Sequence, residues 1–382
     1  MIIWFGIAAI PFIYYALAIY SSRRFFRQPV KPLDPAYAPP VSILKPFRGL
    51  DPDAYENLAS FCGQDYPEYE MIFCVDPEDE TVGPVVERLR ADFPHCDIRV
   101  LYGSGRIASN DKVAKLARMA AEARHETVVI SDSDVRVQQD YLRRMTAPLR
   151  DPGVGAVTCF YVHTELKTFA DRLQTVGMMS DFYAGILVAW QLDGIKFALG
   201  PSIATTRARL AGFGGYAAIE NSPGDDLLVG RLIAEQGYEV KLLRYTVSTV
   251  SDYASMNDLL QKRMRWIVVM RHMRPWGHLG LLLTQGLPWS LAAVAVHPTI
   301  GVAAGYLGTY FLLRAAMTWV ISVNGLRQGG FWGEMILIPV WDGVAFLIWS
   351  ASFLRSSIRW RGADYYIREG QLVAKEEVAS SR

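Results

Sequence analysis

The chain opens with twenty residues that carry no charge, Met1–Tyr20. Three more apolar runs follow in its last third, Leu279–Val296, Ile300–Val323 and Phe331–Leu354. Runs of about twenty such residues are long enough to cross a bilayer as helices. Between these ends the pattern alternates. Short apolar runs at Val41–Lys45, Glu70–Val75, Asp97–Tyr102 and Thr127–Ile130 predict strands. The stretches Pro52–Cys62, Thr81–Phe93 and Asp111–Arg124 predict helices. The last has Ser109 or Asn110 as cap and Val113, Leu116, Ala117 and Ala120 on one face. Alternation at this spacing predicts an α/β domain on a parallel sheet. Gly153–Phe160, Phe197–Thr206 and Glu239–Leu243 supply later strands, and a helix opens at Gly224-Asp225 and continues to Gln236. Phe182–Trp190 is apolar but too short to span. A core helix is its plain reading and a helix in the membrane interface the sharper one.

These patterns divide the chain into an anchor at 1–22, a linker at 28–40 with five prolines, a catalytic domain at 41–274, membrane segments at 279–354 and a basic tail at 355–382. Arg23, Arg24 and Arg27 follow the first apolar run, the reverse of a cleaved signal peptide. They place the next domain in the cytoplasm, and a bacterial inner membrane is the expected location. Arg355, Arg359, Arg361 and Arg368 favour the same side for the tail, whereas four crossings put it opposite. Either one apolar segment is interfacial or re-entrant, or the positive-inside rule fails here. Arg314 lies in the second late run, Glu334 and Asp342 in the third. Charges at such depth pair, so Arg314 is expected to meet Asp342 or Glu334.

Charge adds an exclusion. With 39 basic and 38 acidic residues the chain is no partner for nucleic acid. Cys62, Cys74, Cys96 and Cys159 have no CxxC spacing, which fits reduced core thiols better than zinc or disulfides.

Four polar clusters are candidates for chemistry. Asp132 and Asp134 flank Ser133 just after an apolar strand, where α/β sheets bind ligands. Two such carboxylates can share Mg²⁺ or Mn²⁺ with phosphate oxygens, although Asp and Ser are also ordinary turn residues. Asp76, with Asp79 three residues on, follows another strand and can accept bonds from a nucleoside. Asp225 and Asp226 open a helix, where one carboxylate caps and the second is free for chemistry. Gln261-Lys262-Arg263-Met264-Arg265-Trp266 can clamp a diphosphate or anchor to anionic headgroups.

Taken in order, these clusters resemble the membrane-bound, nucleotide-sugar-dependent inverting glycosyltransferases, and within them the ceramide glucosyltransferases. Ile43-Leu44-Lys45-Pro46-Phe47-Arg48-Gly49-Leu50-Asp51 is similar to that family's Lys-Pro-Leu-Lys-Gly-Val-Asp stretch. Asp65-Tyr66-Pro67-Glu68-Tyr69-Glu70 resembles its next block, and Asn110, Lys112 and Leu116 match its Asn-Pro-Lys-x-x-x-Leu pattern. Ile358-Arg359-Trp360-Arg361-Gly362 and Tyr366-x-Arg368 resemble its tail. Hopanoid-associated glycosyltransferases are almost as similar.

The resemblance implies a GT-A (Rossmann-like) domain between N- and C-terminal transmembrane helices. It implies transfer of a sugar, glucose first, from a UDP-sugar to the primary hydroxyl of a membrane lipid, ceramide first. It assigns Asp226 as general base and Asp132 and Asp134 as holders of a divalent cation, Mg or Mn. Lys45, Pro46, Asp76, Asp79, Lys112 and Asp132 fall to the nucleotide sugar, and Asp225, Arg263, Arg265 and Trp266 to the diphosphate and acceptor side. The chain departs from the family in carrying Lys262 three residues before Arg265, where Gln or Arg is usual. It also has Met178-Met179-Ser180-Asp181-Phe182 where animal enzymes carry a His-Pro-Arg stretch, and Asn221-Ser222-Pro223 before the third acidic motif. The rival readings are a hopanoid glycosyltransferase using UDP-N-acetylglucosamine and, from another class, a non-catalytic lipid-binding scaffold. A processive polysaccharide synthase needs more membrane helices than this chain has.

Overall fold

The structure is a computed structural model and describes residues 2–105, 108–251, 253–360 and 363–375. Helices α1 (Ile2–Ala8) and α2 (Ile10–Phe26) form the anchor. The chain then builds β1 (Val41–Pro46), α3 (Ala54–Cys62), β2 (Tyr69–Val75), α4 (Val82–Asp92), β3 (Asp97–Tyr102), α5 (Asp111–Glu122) and β4 (Thr127–Ser131). All six residues of β1 are buried, as a strand covered on both faces requires. The second half adds β5 (Val135–Arg136), α6 (Tyr141–Thr146), β6 (Val154–Thr164), α7 (Phe169–Gly177), α8 (Tyr183–Asp193), β7 (Ser202–Thr206), α9 (Arg207–Ala211), α10 (Asp225–Glu235), β8 (Glu239–Val250) and α11 (Met256–Met273).

These strands form one sheet in the order β3-β2-β1-β4-β7-β6-β8-β5. The first four are parallel, but β7 runs antiparallel to β4 and β6, and β5 antiparallel to β8. The expected parallel sheet is therefore mixed. Alternating strands and helices fix the lengths of connections, not the direction in which the chain re-enters. The strand expected at Phe197–Thr206 begins only at Ser202, because residues 197–201 form a loop pressed on α10. A Cβ on Gly230 would lie 2.3 Å from Ala198 N. Conversely, β8 continues past Leu243 to Val250. Its pairing with β6 skips Arg244 and Tyr245, a bulge whose polar pair reads as a strand end. The Arg244 guanidinium donates to Gln28 O (2.6 Å).

A buried Asp171 ties α7 to the sheet. It closes the capping box with Thr168 and accepts from Ser251 Oγ (2.5 Å) and Tyr253 N (3.2 Å). A wide turn at Met178–Phe182 joins α7 to α8.

Beyond α11 come α12 (Pro275–Gly280), α13 (Gly286–Val296), α14 (Ile300–Trp319) and α15 (Ile338–Ser352), the last preceded by a 3-10 stretch, Gly329–Leu337. By length and apolarity Ile2–Phe26, Ile300–Gly325 and Gly329–Ser352 can each cross a membrane. Pro275–Thr284 and Gly286–Val296 make a fourth candidate, bent by 55°. At that bend the Tyr15 hydroxyl donates to Thr284 O (3.1 Å) and accepts from Gly286 N (2.9 Å). It satisfies backbone groups that a break inside a bilayer would strand. Any Cβ at Gly286 would lie 2.5 Å from the Tyr15 hydroxyl oxygen.

Of the two acids expected for Arg314, Asp342 takes it, with Nε–Oδ2 at 2.9 Å and Nη2–Oδ1 at 2.5 Å. Arg314 also reaches Asp181 (2.6 Å) and the Ser180 carbonyl, while Glu334 pairs with Arg172 (2.9 Å).

The basic tail is more than a tail. Strands β9 (Ser357–Trp360), β10 (Ala363–Arg368) and β11 (Gln371–Ala374) form a small antiparallel sheet. Ile358, Ile367 and Leu372 pack on Val268 of α11. So few buried apolar residues among polar ones are too faint a period to read. Arg361, Gly362 and residues 376–382 lie outside the described residues.

Candidate active site

The site lies at the carboxyl ends of β1 and β4, which run side by side with Leu44 opposite Ile130. Lys45 and Pro46, expected at the nucleotide, lie beneath the acidic turn. Lys45 is fully buried over the Phe61 ring and donates to Ser131 Oγ (3.3 Å) and Asp132 O (2.9 Å). Burial pulls its pKa down to about 7, against the charges of Asp134, Asp132 and Asp51. Lys45 braces the turn from below.

Helix α5 brings two more lysines. Its cap, Asn110, accepts from Val113 N (3.4 Å) and donates to Ser222 O (2.8 Å). It thereby fixes α5 to the loop that leads into α10. In the first turn, Lys112 Nζ stands 2.6 Å from Asp132 Oδ1 and 3.4 Å from Asp225 Oδ2. Burial opposes its charge, but Asp132, Asp225 and Asp226 outweigh that and hold the ammonium above its ordinary pKa. One turn on, Lys115 meets Asp76 (2.5 Å), Asp111 (2.9 Å) and the Phe47 carbonyl (2.7 Å). Asp79 is engaged within its own loop, accepting from Gly49 N (3.0 Å) and from Thr81 N (2.9 Å) and Oγ1 (2.5 Å). The Thr81 hydroxyl, with these amides, lowers its pKa.

Asp134 lies on the other side of the turn. Burial, then Asp132 and Asp51, push its pKa up to about 7. The oxygen donors of this acidic pair suit a hard cation. Among the described residues no group of three or more His, Cys, Asp or Glu could hold a metal ion. A cation held by Asp132 and Asp134 alone would take most of its coordination shell from substrate and water.

Asp226 is half-buried in the first turn of α10. Its Oδ1 accepts from Leu227 N (2.8 Å). A Cβ at Gly200 would come within 3.0 Å of its Oδ2, so the loop before β7 fits the carboxylate closely. Burial and Asp225 raise its pKa to about 6, with Lys112 pulling the other way. A carboxylate tuned to this range, next to an acid paired elsewhere, is suited to take a proton near neutral pH.

The basic run Gln261–Trp266 falls inside the 18-residue helix α11. Arg263 turns toward α7 and α15, donating to Gln174 Oε1 (2.6 Å) and lying over the Trp341 (4.5 Å) and Trp266 (5.1 Å) rings. Arg265 lies on the same helix, whose last residue, Met273, abuts the loop before Asp225: its Sδ would lie 3.3 Å from a Cβ at Gly224. Burial raises the pKa of Tyr161, on which the charges of Arg263, Asp226 and Asp132 also act.

Sequence reasoning missed Tyr216. Its hydroxyl is buried with no hydrogen-bond partner among the described residues, and Asp225, Lys112, Asp132 and Asp226 all act on it electrostatically. Gly214 and Gly215, at φ 90° and 67°, turn the ring inward. A Gly-Gly-Tyr turn ten residues before the acid pair was the available signal.

The comparisons with known proteins follow this geometry. The family model described as Glycosyl transferase family 21 matches residues 3–373. Ceramide glucosyltransferase 3 of Caenorhabditis elegans is 24% identical over 242 residues, covering 62% of this chain and 52% of that protein. Ceramide glucosyltransferase 1 of the same organism is 22% identical over 380 residues, covering 94% and 78%. The enzyme of Komagataella phaffii reaches 32% over 147 residues, covering 37% and 28%. The chain thus matches about half the first relative's length and less than a third of the last one's. Among solved structures, the mannosyltransferase PcManGT of Pyrobaculum calidifontis, in complex with GDP-Man and Mn²⁺, superposes with a TM-score of 0.61. It is 20% identical and covers 90% of this chain and 97% of that one. The likeness gives this domain the GT-A fold.

Proposed function

The chain belongs to glycosyl transferase family 21, a sugar-transferring enzyme akin to the ceramide glucosyltransferases, and on that premise we propose that it moves glucose from UDP-glucose to the primary hydroxyl of ceramide with inversion. The observation that carries this reading is the half-buried Asp226, raised to about pH 6 beside a Lys112 shared by Asp132 and Asp225.

Asp226 takes the acceptor's hydroxyl proton on Oδ2, the oxygen not bonded to Leu227 N. The hydroxyl oxygen bonds to the anomeric carbon as the bond to the UDP oxygen breaks, and the electron pair leaves with UDP. One displacement inverts the carbon, and no second carboxylate is needed to protonate the leaving group, unlike glycoside hydrolysis. A divalent cation, Mg²⁺ or Mn²⁺, held by Asp132 and Asp134 would supply positive charge to the departing diphosphate. Lys112 keeps Asp132 in place, and Arg265 adds charge from α11. Asp76, held by Lys115, serves the uridine end. Arg263 and Trp266 stand on the acceptor side. The catalytic domain lies in the cytoplasm, on the side marked by Arg23, Arg24 and Arg27.

The test is a product mass from detergent-purified protein given UDP-glucose, UDP-galactose or UDP-N-acetylglucosamine, a divalent cation, and ceramide or a hopanoid polyol. Hexosyl-ceramide from UDP-glucose is expected. A sugar on the hopanoid alone would keep the chemistry but replace the acceptor. No product from any pair would overturn both acceptors. The cation assignment has its own test. Asp134→Ala is expected to cut Mn²⁺-dependent UDP affinity by at least about tenfold and leave metal-free binding unchanged. Calorimetry showing equal Mn²⁺-dependent affinity would sink it.

A further inference from the structure

Gly329–Ser352 is 24 residues long and apolar enough to cross a membrane, yet contacts along its length reach the soluble domain. Glu334 pairs with Arg172 on α7 (2.9 Å). Trp341 Nε1 donates to Asp181 (2.7 Å), and its ring packs so closely on Gly177 that a Cβ there would lie 2.3 Å away. At the far end Arg271 of α11 donates to the carbonyls of Ser352 and Arg355. The segment therefore runs beside α11, with Arg263 over Trp341 near one end and Arg271 at Ser352 at the other. Helix α11 carries Lys262, Arg263, Arg265 and Arg271. A helix so charged does not lie in hydrocarbon, and a segment alongside it shares its depth. The two faces of the segment differ. Ile338, Trp341, Asp342, Ile348 and Ser352 are buried, whereas Val340 and Leu347, seven residues apart on α15, are exposed, as are Trp332 and Ile336 before the helix and Leu354 after it.

We propose that residues 329–354 lie flat in the interface on the catalytic side, with this exposed apolar stripe dipped into one lipid leaflet. The chain then crosses the bilayer three times, by α1–α2, by the bent α12–α13 pair and by α14. The contacts among these three mark their levels. Trp4 meets Trp289 (5.7 Å between ring centres), and Phe5 meets His297 (6.4 Å) and, through its carbonyl, the Tyr306 hydroxyl (2.8 Å). At the other end Gly325 abuts the Phe26 ring, close to Arg23, Arg24 and Arg27. So α13 runs away from the catalytic side and α14 returns to it. The small C-terminal sheet docks on α11, and Leu372 N donates to Asn221 O (2.7 Å). Domain and tail are on one side, which requires an even number of crossings between them. The bent pair and α14 supply two, and α15 adds none. The tail arginines then lie where the positive-inside rule puts them. The inference rests on the reading of the chain as a membrane enzyme, not on its sugar or acceptor.

The four native cysteines are buried, so single introduced thiols report on a quiet background. Pro298, Gly330 and Lys375 are exposed. Pro298→Cys, Gly330→Cys and Lys375→Cys would each be treated with a membrane-impermeant maleimide in spheroplasts of an expressing bacterium, before and after permeabilisation. Pro298→Cys is expected to react from outside, and the other two only after permeabilisation. Outside reaction at Lys375→Cys would mean that 329–352 crosses. Outside reaction at Gly330→Cys would mean that α14 ends on the far side. Either overturns the proposal. Spin labels at Ile336, Val340 and Leu347 add a depth measurement. Equal, shallow depths are expected, whereas a crossing helix places Val340 deepest. Release of the protein by carbonate washing would instead sink the membrane reading itself.

Discussion

Replacing Asp226 with asparagine is expected to lower turnover by about 10²–10⁴-fold, the usual cost of removing a general base. Asparagine keeps the shape beside Gly200 and still offers an oxygen to Leu227 N, so folding and UDP-sugar binding should hold. What it loses is the capacity to accept a proton. The pH profile supplies a second reading of the same group. With its pKa raised to about 6, Asp226 is ionised above that pH, so kcat/KM should fall as pH drops through about 6. Asp225→Asn removes a neighbouring negative charge, stabilises the Asp226 carboxylate and should move that limb to lower pH. Near wild-type turnover in Asp226→Asn, or an acid limb that ignores Asp225→Asn, would refute the assignment.

Arg314→Met is expected to cost about 3–5 kcal/mol of stability. The guanidinium is buried and bonds Asp342 through two nitrogens, while also reaching Asp181 and the Ser180 carbonyl. Methionine fills much of the space but leaves the buried Asp342 carboxylate with only the Tyr310 hydroxyl (2.7 Å). Pairing the change with Asp342→Leu removes the orphaned charge, and much of the loss should return. Unfolding of the detergent-purified proteins provides the measurement. Losses that simply add in the double variant would show that the two residues act independently. Asp181 lies in the turn between α7 and α8, so the same cluster joins the catalytic domain to the apolar helices α14 and α15.

Much of the site was legible because its residues sit where pattern is strongest. Buried runs such as Val41–Pro46 and Thr127–Ser131 announce strands, and the polar residues that end them announce an edge. Asp132, Asp134, Lys112, Asp225 and Asp226 fall on or beside such boundaries, and the structure brings the Lys112 ammonium between the two acidic motifs. The direction of β7 was not legible, since a strand's sequence is silent about its polarity in the sheet. Nor was the depth of Gly329–Ser352. Hydropathy counts apolar residues but does not reveal that one face of the helix rests on α11. Lys45 illustrates another limit. The resemblance assigns it to the nucleotide sugar, and the sequence does not show that it also donates to Ser131 and the Asp132 carbonyl from within a fully buried strand. Tyr216 was hidden for the opposite reason, because a lone tyrosine in a glycine turn has no charge to draw attention.

The hydroxyl of Tyr15 that bridges the bend at Gln285 also bears on how the protein is made. Its partners lie 269 and 271 residues further along the chain. At ordinary rates of synthesis the first helix waits roughly 15–55 s for them. Throughout that interval the Tyr15 hydroxyl has neither partner, while the whole catalytic domain is translated. Thr284 O and Gly286 N at the break bond to the Tyr15 hydroxyl, so the bend is complete only once the anchor is in place. The amino-terminal helix is thus a template for biogenesis, and a chain supplied in two pieces, anchor and remainder, should assemble only when both occupy the same membrane.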